Sequence, residues 1–451
     1  MNPISTGASV HVTPDQVHAT LGKHMLADGF DFVLDLEKSE GVWLHDSKGG
    51  KKLMDFFSFF ASNPLGMNHP GMKTPEFQAR LLRAALHNVT NSDVYTTEFA
   101  EFVETFARHT MGAGFKHAFF VAGGTLGVEN ALKASFDWKV RQNFARGYRE
   151  ERGTKVLHFD QAFHGRSGYT LSLTNTTDPR KTAYFPKFDW PRVTNPKAAF
   201  PLTADRIADV KAREAVAVAQ MERAFAKYPD EIAAIIIEPI QGEGGDNHFR
   251  PEFFKELRRI ADQYEAMLVF DEVQAGFGLT GTFWSFEHFG VKPDMVAFGK
   301  KAQVCGFLAN ERIDDVKENV FHVSSRINST WGGNLVDMIR CQRYLEIMAE
   351  ERLVENAAAR GAELLAGLEA LVKEFPEHVM NARGKGLMCA FDLRDGAVRD
   401  QVIANAATLG VVVLGCGPQS IRFRPPLIIT KAEIAEGLEK FGMSIKKAIG
   451  R

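Results

Sequence analysis

Short apolar runs alternate with amphipathic stretches between about residue 115 and residue 325, and this alternation constrains the fold of the chain more than any other feature. Each run has the length of a strand and is rich in β-branched or aromatic residues. The runs are HAFFVA, KVLHFD, IAAIIIEPI, AMLVFDEV and DMVAFG. Two of the stretches between them, EAVAVAQMERAFAKY and FFKELRRIADQYE, have helical spacing. The pattern predicts a mainly parallel sheet that is covered by helices.

The last third of the chain predicts a second, smaller domain. A long helical stretch begins at about residue 336, and the apolar runs MCAFDL, VVVLGC and SIRFRPPLII follow it with further helices between them. Thr430 and Glu433 form a capping-box signature at the start of the final helix. We therefore predict a small α+β domain over residues 336–451.

The composition excludes several classes of protein. Hydrophobic residues make up 45% of the chain and charged residues 24%, as in ordinary globular proteins, and a net charge of −2 argues against binding to nucleic acid or an anionic membrane. The N-terminus lacks a leader pattern, and no run approaches the roughly 18 apolar residues of a membrane span, so we expect a cytoplasmic protein. Four cysteines without C-x-x-C spacing predict reduced thiols and no metal site. They are Cys305, Cys341, Cys389 and Cys416.

The stretch VFDEVQAGFG, residues 269–278, places two acids and an amide after an apolar strand. Parallel sheets bind ligands at this end of their strands. A carboxylate from Asp271 there would keep a pyridine nitrogen protonated, and the protonated ring would withdraw electrons from a carbanion on an attached substrate. Gln274 would donate to a phenolic oxygen of the same ring. On its own, however, an Asp-Glu pair more often begins a solvated loop.

The stretch PDMVAFGKKAQVCG, residues 293–306, places Lys300 one small residue beyond another strand end. A lysine amine is a nucleophile only when it is neutral, so its ordinary pKa of about 10.4 must fall through burial or nearby positive charge. A site at a strand end can provide both. G-K-K alone is more often a surface turn, and Lys301 is the alternative nucleophile.

Together these stretches resemble the class III, or omega, aminotransferases, which are pyridoxal 5′-phosphate (PLP) enzymes. The resemblance extends from FSFFASNPLGMNHP near residue 58 to RFRPPL at residues 422–427. Its core is E-P, then D-E-V-Q-x-G-x-G, then P-D-x-x-x-x-G-K, in that order. It implies the α/β fold of aspartate aminotransferase, fold type I, with an N-terminal segment over 1–75 that contributes to the small domain and a large PLP-binding domain over 76–335. Lys300 would carry PLP, and Asp271 would face its ring nitrogen.

The resemblance also implies roles for three further segments. In GGTLGVENALK, Gly124 and Thr125 would hold the phosphate at a helix N-terminus, where backbone N–H groups and the helix dipole favour anions. In FHGRSGYT, Phe163 would stack on the ring, although a lone aromatic residue is more often packed in a core. In NSTWGGN, Ser329 or Thr330 would contact the phosphate of the neighbouring subunit. The last assignment implies a homodimer.

Within the family, EPIQGEGGDNHF and RFRPP are similar to lysine 6-aminotransferases. The resemblance implies transfer of the 6-amino group of L-lysine to 2-oxoglutarate, which gives L-glutamate. Arg422 would bind the carboxylate beside the reacting carbon of the dicarboxylate, and Glu243 would cover Arg422 when lysine presents its methylenes. Arg166 would hold the far carboxylate, unless it forms an ordinary surface ion pair.

Several alternatives remain open at this stage. Another omega-aminotransferase, of the ornithine or 4-aminobutyrate type, shares the cofactor motifs and differs in its pocket. A nicotinamide dehydrogenase is disfavoured because GGTLGVEN lacks G-x-G-x-x-G. A catalytically silent protein of the same fold is the third alternative. The chain departs from the family pattern at Ala302, where threonine is expected, and this puts the rate or the substrate range in doubt.

Overall fold

The computed structural model describes residues 9–450, which form sixteen strands and twelve helices besides short 3₁₀ turns. The strands are β1 (Trp43–His45), β2 (Lys52–Asp55), β3 (Phe115–Val121), β4 (Lys155–Phe159), β5 (Arg192–Val193), β6 (Ile232–Ile237), β7 (Ile240–Gln241), β8 (Asn247–His248), β9 (Met267–Asp271), β10 (Met295–Phe298), β11 (Cys305–Asn310), β12 (Val379–Lys385), β13 (Met388–Leu393), β14 (Val411–Val412), β15 (Leu414–Cys416) and β16 (Ser420–Phe423). The helices are α1 (Val17–Gly22), α2 (Ser58–Ala61), α3 (Pro75–Ala85), α4 (Thr97–Thr110), α5 (Gly124–Ala145), α6 (Gly168–Leu173), α7 (Ala204–Lys227), α8 (Pro251–Gln263), α9 (Leu335–Glu350), α10 (Leu353–Glu374), α11 (Gly396–Thr408) and α12 (Lys431–Ala448).

A seven-stranded sheet in the order β3-β11-β10-β9-β6-β4-β5 forms the centre of the molecule. All five apolar runs of the sequence are strands of this sheet, which confirms the predicted mainly parallel arrangement. β11 is antiparallel to both of its neighbours. The sequence interpretation did not include β5 or β11.

Helices cover both faces of this sheet because its strands are apolar on both faces. Val269 belongs to one core cluster with Val128 and Leu132 of α5. The next residue, Phe270, points to the other face, where its ring packs edge-on against Phe254 of α8 at 5.5 Å. Neighbouring residues therefore bury opposite helix layers, as the two-residue period of a strand requires.

Besides the antiparallel pair β7-β8, two smaller sheets lie outside the seven-stranded sheet. One has the order β12-β13-β16-β15 and is antiparallel. In the other, β14 pairs in parallel with β2, so strands from the two ends of the chain share a sheet. The boundaries at residues 75/76 and 335/336 stay a prediction.

The helical stretch from residue 336 forms two helices rather than one. α9 ends at Glu350, and Arg352 adopts a left-handed backbone (φ 53°) before α10 begins. α9 packs on α3 and α4, whereas α10 packs on β12 and α12. Tertiary packing sets this break, because the local sequence contains neither glycine nor proline.

Three further sequence predictions can be compared with the structure. The Thr430–Glu433 capping box opens α12 as predicted. All four cysteines are buried, unpaired thiols. Among residues 9–450, none of the helices combines the length and the hydropathy that a membrane crossing requires. The first eight residues of the N-terminus, which contributed to the predicted location, lie outside the described residues.

Candidate active site

Two adjacent strand ends bring Asp271 and Lys300 to one cavity. Asp271 is the last residue of β9 and pairs with Ala297 of β10, and Lys300 follows the end of β10 at the same edge of the sheet. The cavity has a volume of about 180 Å³. Its walls are formed by Gly124, Thr125, Phe163, His164, Gly165, Glu238, Asp271, Val273, Gln274 and Lys300. Six of the residues predicted to bind a cofactor therefore surround one space.

The surroundings of Lys300 favour the neutral form of its amine. Burial lowers the pKa of Lys300, Asp271 opposes this shift, and Arg422 adds to it. The backbone of Lys300 is left-handed (φ 51°) in a short 3₁₀ turn that begins directly after Gly299. Strained backbone of this kind is concentrated at functional sites.

Lys301, the alternative nucleophile, is not one of the residues that line the cavity. It is buried, and its ammonium nitrogen donates to the backbone oxygens of Gln274 at 2.7 Å and Ala61 at 3.2 Å. These bonds tie the loop after β9 to α2. The structure thus gives the two neighbouring lysines different surroundings.

Asp271 is held by a histidine that the sequence reasoning missed. Asp271 is 5% exposed, and its Oδ2 lies 2.8 Å from Nδ1 of His164, while its Oδ1 accepts from the backbone N–H of Val273 at 3.1 Å. His164 is itself buried, and its Nε2 has no partner among the described residues. The only sequence signal for His164 was its place beside Phe163 in FHGRSGYT.

Glu238 closes the same wall of the cavity. Its carboxylate accepts from the backbone N–H groups of Phe163 at 2.8 Å and Gly242 at 3.1 Å. Burial raises the pKa of Glu238 to about 7, His164 opposes the shift, and Asp271 adds to it. Glu238 is the glutamate of the E-P pair, and its role here is to fix the backbone that carries the ring of Phe163.

The N-terminus of α5 opens onto the opposite side of the cavity. Gly123 directly precedes the helix with a φ of 100°, which glycine adopts without strain, and no side chain caps the first N–H groups. The first turn contains no acidic residue. Gly165 (φ 129°) lies against Thr125, where a Cβ atom would come within 2.4 Å of the Thr125 hydroxyl. N–H groups at such a helix start can bind an anion beside Gly124 and Thr125.

The cavity therefore fits a planar cationic ring with a phosphate group. A buried carboxylate, Asp271, faces it from one strand end, an uncapped helix N-terminus supplies donors, and Lys300 supplies an amine. The side-chain oxygen of Gln274 accepts from Arg424, and its amide nitrogen has no partner among the described residues, so this nitrogen is free to donate. Ala302 is fully buried beside the lysines.

The predicted substrate residues lie outside this lining. Glu243 Oε2 contacts Nη1 of the buried Arg422 at 3.1 Å, and Glu243 Oε1 contacts the ammonium of Lys181. The sequence reasoning did not include Lys181. Arg166 is exposed and forms no ion pair within the described part of the chain, so the surface ion pair considered for it is absent there.

Ser329 and Thr330 are not brought to the cavity of their own chain. They lie on the loop at residues 328–334, where the backbone oxygen of Ser329 accepts from the Ser92 hydroxyl at 3.0 Å. Thr330 is exposed. Within this chain, neither residue lines the cavity between Asp271 and Lys300.

A lysine and an acid at neighbouring strand ends, opposite an uncapped helix N-terminus, define a PLP-dependent enzyme of fold type I. The comparisons with known proteins agree. The class III aminotransferase family model matches residues 26–445. The chain is 53% identical over 423 residues to the L-lysine-epsilon aminotransferase of Mycobacterium bovis, with 94% of this chain and 93% of that protein covered.

Two further relatives extend the comparison. A structure of lysine aminotransferase from M. tuberculosis in the internal aldimine form superposes with a TM-score of 0.95 at 51% identity, covering 97% of this chain and 100% of that one. The mitochondrial 4-aminobutyrate aminotransferase of Rattus norvegicus is 33% identical, with 89% of this chain and 82% of that protein covered. The chain belongs to the class III aminotransferases, and it is a PLP-dependent enzyme.

Proposed function

We propose that this aminotransferase moves the 6-amino group of L-lysine to 2-oxoglutarate and releases the 6-semialdehyde and L-glutamate by a ping-pong mechanism. The observation that carries this substrate pair is the contact between Glu243 and Arg422. The relatives named as lysine aminotransferases, at 51% and 53% identity, support the donor. The dicarboxylate acceptor is inferred from the arginine.

The Glu243–Arg422 contact solves a problem of dual specificity. One pocket must accept the methylenes of lysine in the first half-reaction and a carboxylate in the second. Arg422 is only 5% exposed, so leaving its charge without a partner against methylenes would be costly. Glu243 neutralises Arg422 when lysine binds, and it moves aside when the carboxylate beside the reacting carbon of 2-oxoglutarate replaces it.

Arg166 is assigned to the far carboxylate of either substrate. It follows Gly165 of the cavity wall, and its exposed guanidinium has no ion pair among the described residues. A free guanidinium can bind a carboxylate through two parallel hydrogen bonds. We infer that it acts at the cavity entrance.

The remaining cavity residues are assigned to cofactor binding and proton transfer. When bound, PLP accepts the amino group and draws electrons from the substrate carbon next to the nitrogen. Lys300 Nζ moves the proton at that carbon, since its lowered pKa favours the neutral, basic amine. Asp271 holds the ring nitrogen, Gln274 the phenolic oxygen, and Phe163 the ring face. The N-terminus of α5, with Gly124 and Thr125, holds the phosphate.

We also propose that the active unit is a homodimer in which Ser329 or Thr330 reaches the phosphate of the neighbouring subunit. Apolar side chains beside their loop support this arrangement, because Val94, Tyr95 and Trp331 are 57%, 77% and 49% exposed. Such surfaces commonly mark subunit contacts. The N-terminal segment 1–75 and residues 336–451 are proposed to form the small domain around the large domain, 76–335.

Half-reaction kinetics test the substrate assignment. L-lysine, L-ornithine and 4-aminobutyrate are mixed separately with the holoenzyme, and conversion of the cofactor is followed by absorbance. We expect the highest specificity constant with lysine, and Lys300→Ala should abolish conversion with every amine. A faster reaction with ornithine or 4-aminobutyrate would assign the enzyme to that type, which the 33% identical relative represents.

The movement of Glu243 on and off Arg422 acts as a gate that depends on the substrate. This Glu243 gate is tested in the same assay by Glu243→Ala. We expect the reaction with lysine to slow relative to that with glutamate, because Arg422 then faces the lysine methylenes uncovered. An unchanged ratio of the two rates would contradict the gate.

Subunit mixing tests the homodimer. Lys300→Ala subunits are mixed with subunits that carry both Ser329→Ala and Thr330→Ala. If the loop acts on the neighbouring site, each hybrid contains one site with an intact lysine and an intact loop, and tight PLP binding with activity returns. If the loop acts on its own site, no hybrid site is complete and nothing is recovered.

A further inference from the structure

Glu243 is held by two cations, one on each carboxylate oxygen. Its Oε2 contacts Arg422 at 3.1 Å, and its Oε1 contacts the ammonium of Lys181. Lys181 is the last residue of a short 3₁₀ helix, Pro179–Lys181, whose start is fixed by Asp178 accepting from the backbone N–H of Arg180 at 3.1 Å. The position of Lys181 is therefore set by local backbone structure.

The two cations differ in their surroundings. The side chain of Arg422 is 6% exposed, whereas those of Lys181 and Glu243 are both 23% exposed. Lys181 and Glu243 also line a second cavity, of about 560 Å³, outside the cofactor cavity. Glu243 thus has room on the Lys181 side to leave Arg422 while it keeps a cation.

Other cations around the second cavity are already paired. Arg180 binds Asp178 at 2.9 Å, and Arg399 binds Asp400 at 2.7 Å. Among the described residues that line this cavity, Lys181 is the cation whose carboxylate partner is Glu243. In a protein that lacked the Lys181 ammonium, the Glu243 carboxylate would lose its charge-assisted hydrogen bond when it left Arg422, and no other cation in the described lining of this cavity would replace that bond.

We propose that Lys181 is the positioning residue that retains Glu243 after it leaves Arg422, and that it thereby sets how readily the enzyme accepts a dicarboxylate after a terminal amine. This inference rests on the Glu243 gate proposed above. Lys181 contacts Glu243 while the carboxylate is shared with Arg422, and it is the cation that stays with the carboxylate once Arg422 is free. Because the carboxylate charge is then no longer shared between two cations, the contact with Lys181 is stronger in that state. Lys181 therefore favours the state in which Arg422 is free, and a ligand that needs this state binds in proportion to its population.

Binding of glutarate to the holoenzyme by titration calorimetry tests the inference without turnover. Glutarate has the two carboxylates of the acceptor but no reactive carbonyl. Lys181→Met should weaken glutarate binding about fivefold, the effect of losing one partly exposed charge-assisted bond. The half-reaction with lysine should change by less than about twofold, and Lys181→Arg should restore binding. Arg180→Met, in the same 3₁₀ helix but paired with Asp178, is the matched control and should bind glutarate normally.

The Glu243→Ala background separates the possible outcomes. There, Lys181→Met should have no further effect on glutarate, because a residue that acts through Glu243 loses its role with it. A similar weakening in both backgrounds would mean that Lys181 binds the ligand directly and would overturn the inference. Normal glutarate binding by Lys181→Met in the otherwise wild-type enzyme would also overturn it, even if Glu243→Ala shifts the lysine-to-glutamate ratio and the gate stands. If Glu243→Ala changes neither the ratio of the rates with lysine and with glutamate nor the affinity for glutarate, the Glu243 gate itself is wrong.

Discussion

Replacing His164 by leucine should weaken PLP binding by about 10-fold to 100-fold. The imidazole is 3% exposed and lies 2.8 Å from Oδ2 of Asp271, which is 5% exposed. A hydrogen bond to a buried charged group contributes about 1.5–3 kcal/mol, and each 1.4 kcal/mol is a factor of about ten. Without His164, one oxygen of Asp271 loses its donor, and the carboxylate is no longer oriented toward the cavity.

Equilibrium dialysis of PLP against the cofactor-free protein measures this effect. His164→Asn keeps a nitrogen donor near the position of Nδ1 and should retain affinity within about fivefold of the wild type. His117→Leu is the matched control, because His117 contacts Asp314 at 2.9 Å in a similar histidine–aspartate pair outside the cavity. Circular dichroism verifies that each variant is folded.

Two results would refute this reasoning. If His164→Leu binds PLP within about twofold of His117→Leu, the contact with Asp271 is unimportant for the cofactor. If His164→Asn is as weak as His164→Leu, the histidine acts through its packing volume and not through its nitrogen.

Three other predictions address the proposed phosphate site at the N-terminus of α5, the amine of Lys300 and the loop after β9. Gly165→Ala should lower PLP affinity, measured by dialysis, at least about tenfold, because the new Cβ would come within 2.4 Å of the Thr125 hydroxyl. Unaltered affinity would contradict close packing of Gly165 against the proposed phosphate site. Because the pKa of Lys300 is lowered, its amine loses its proton at a lower pH than the amine of a free lysine. The rate at which PLP recombines with the cofactor-free protein should therefore rise with pH and level off below pH 10.5. A rate that still rises beyond pH 10.5 would contradict this. Ser285→Ala should lower the free energy of unfolding in urea by about 1–3 kcal/mol, because its buried hydroxyl donates to the carboxylate of Glu272 in that loop at 2.7 Å. An unchanged urea midpoint would contradict this.

The chemistry at the strand ends was predictable from the sequence because it depends on local patterns. One apolar strand is followed by Asp271, and another is followed by Gly299 and Lys300. Their ends meet at one edge of the sheet because the two strands are parallel neighbours. The approach of the two residues to one cavity therefore follows from periodicity and strand order.

Residues that act through long-range contacts were not predictable in the same way. His164 reaches Asp271 across 107 positions, and Lys181 reaches Glu243 across 62. Neither contact has a local pattern, because each depends on how loops fold back over the sheet. Glu238 gave a partial signal through its E-P pair, but not its bond to the backbone of Phe163.

The left-handed turn of α2 illustrates the same limit in the backbone. Ser58, Phe59, Phe60 and Ala61 all have positive φ values although none is glycine. Asp55 accepts from the backbone N–H of Ser58 at 2.6 Å, and Lys301 donates to the oxygen of Ala61 at 3.2 Å. Tertiary bonds at both ends thus hold a conformation that the local sequence disfavours.

The most direct test of the account is to identify the lysine that carries PLP. The holoenzyme is reduced with borohydride and digested, and the modified peptide is sequenced by mass spectrometry. Lys300 should carry the reduced cofactor. A modification at Lys301, or a bound cofactor that attaches to neither lysine, would contradict the assignment of the cavity between Asp271 and Lys300 as the active site.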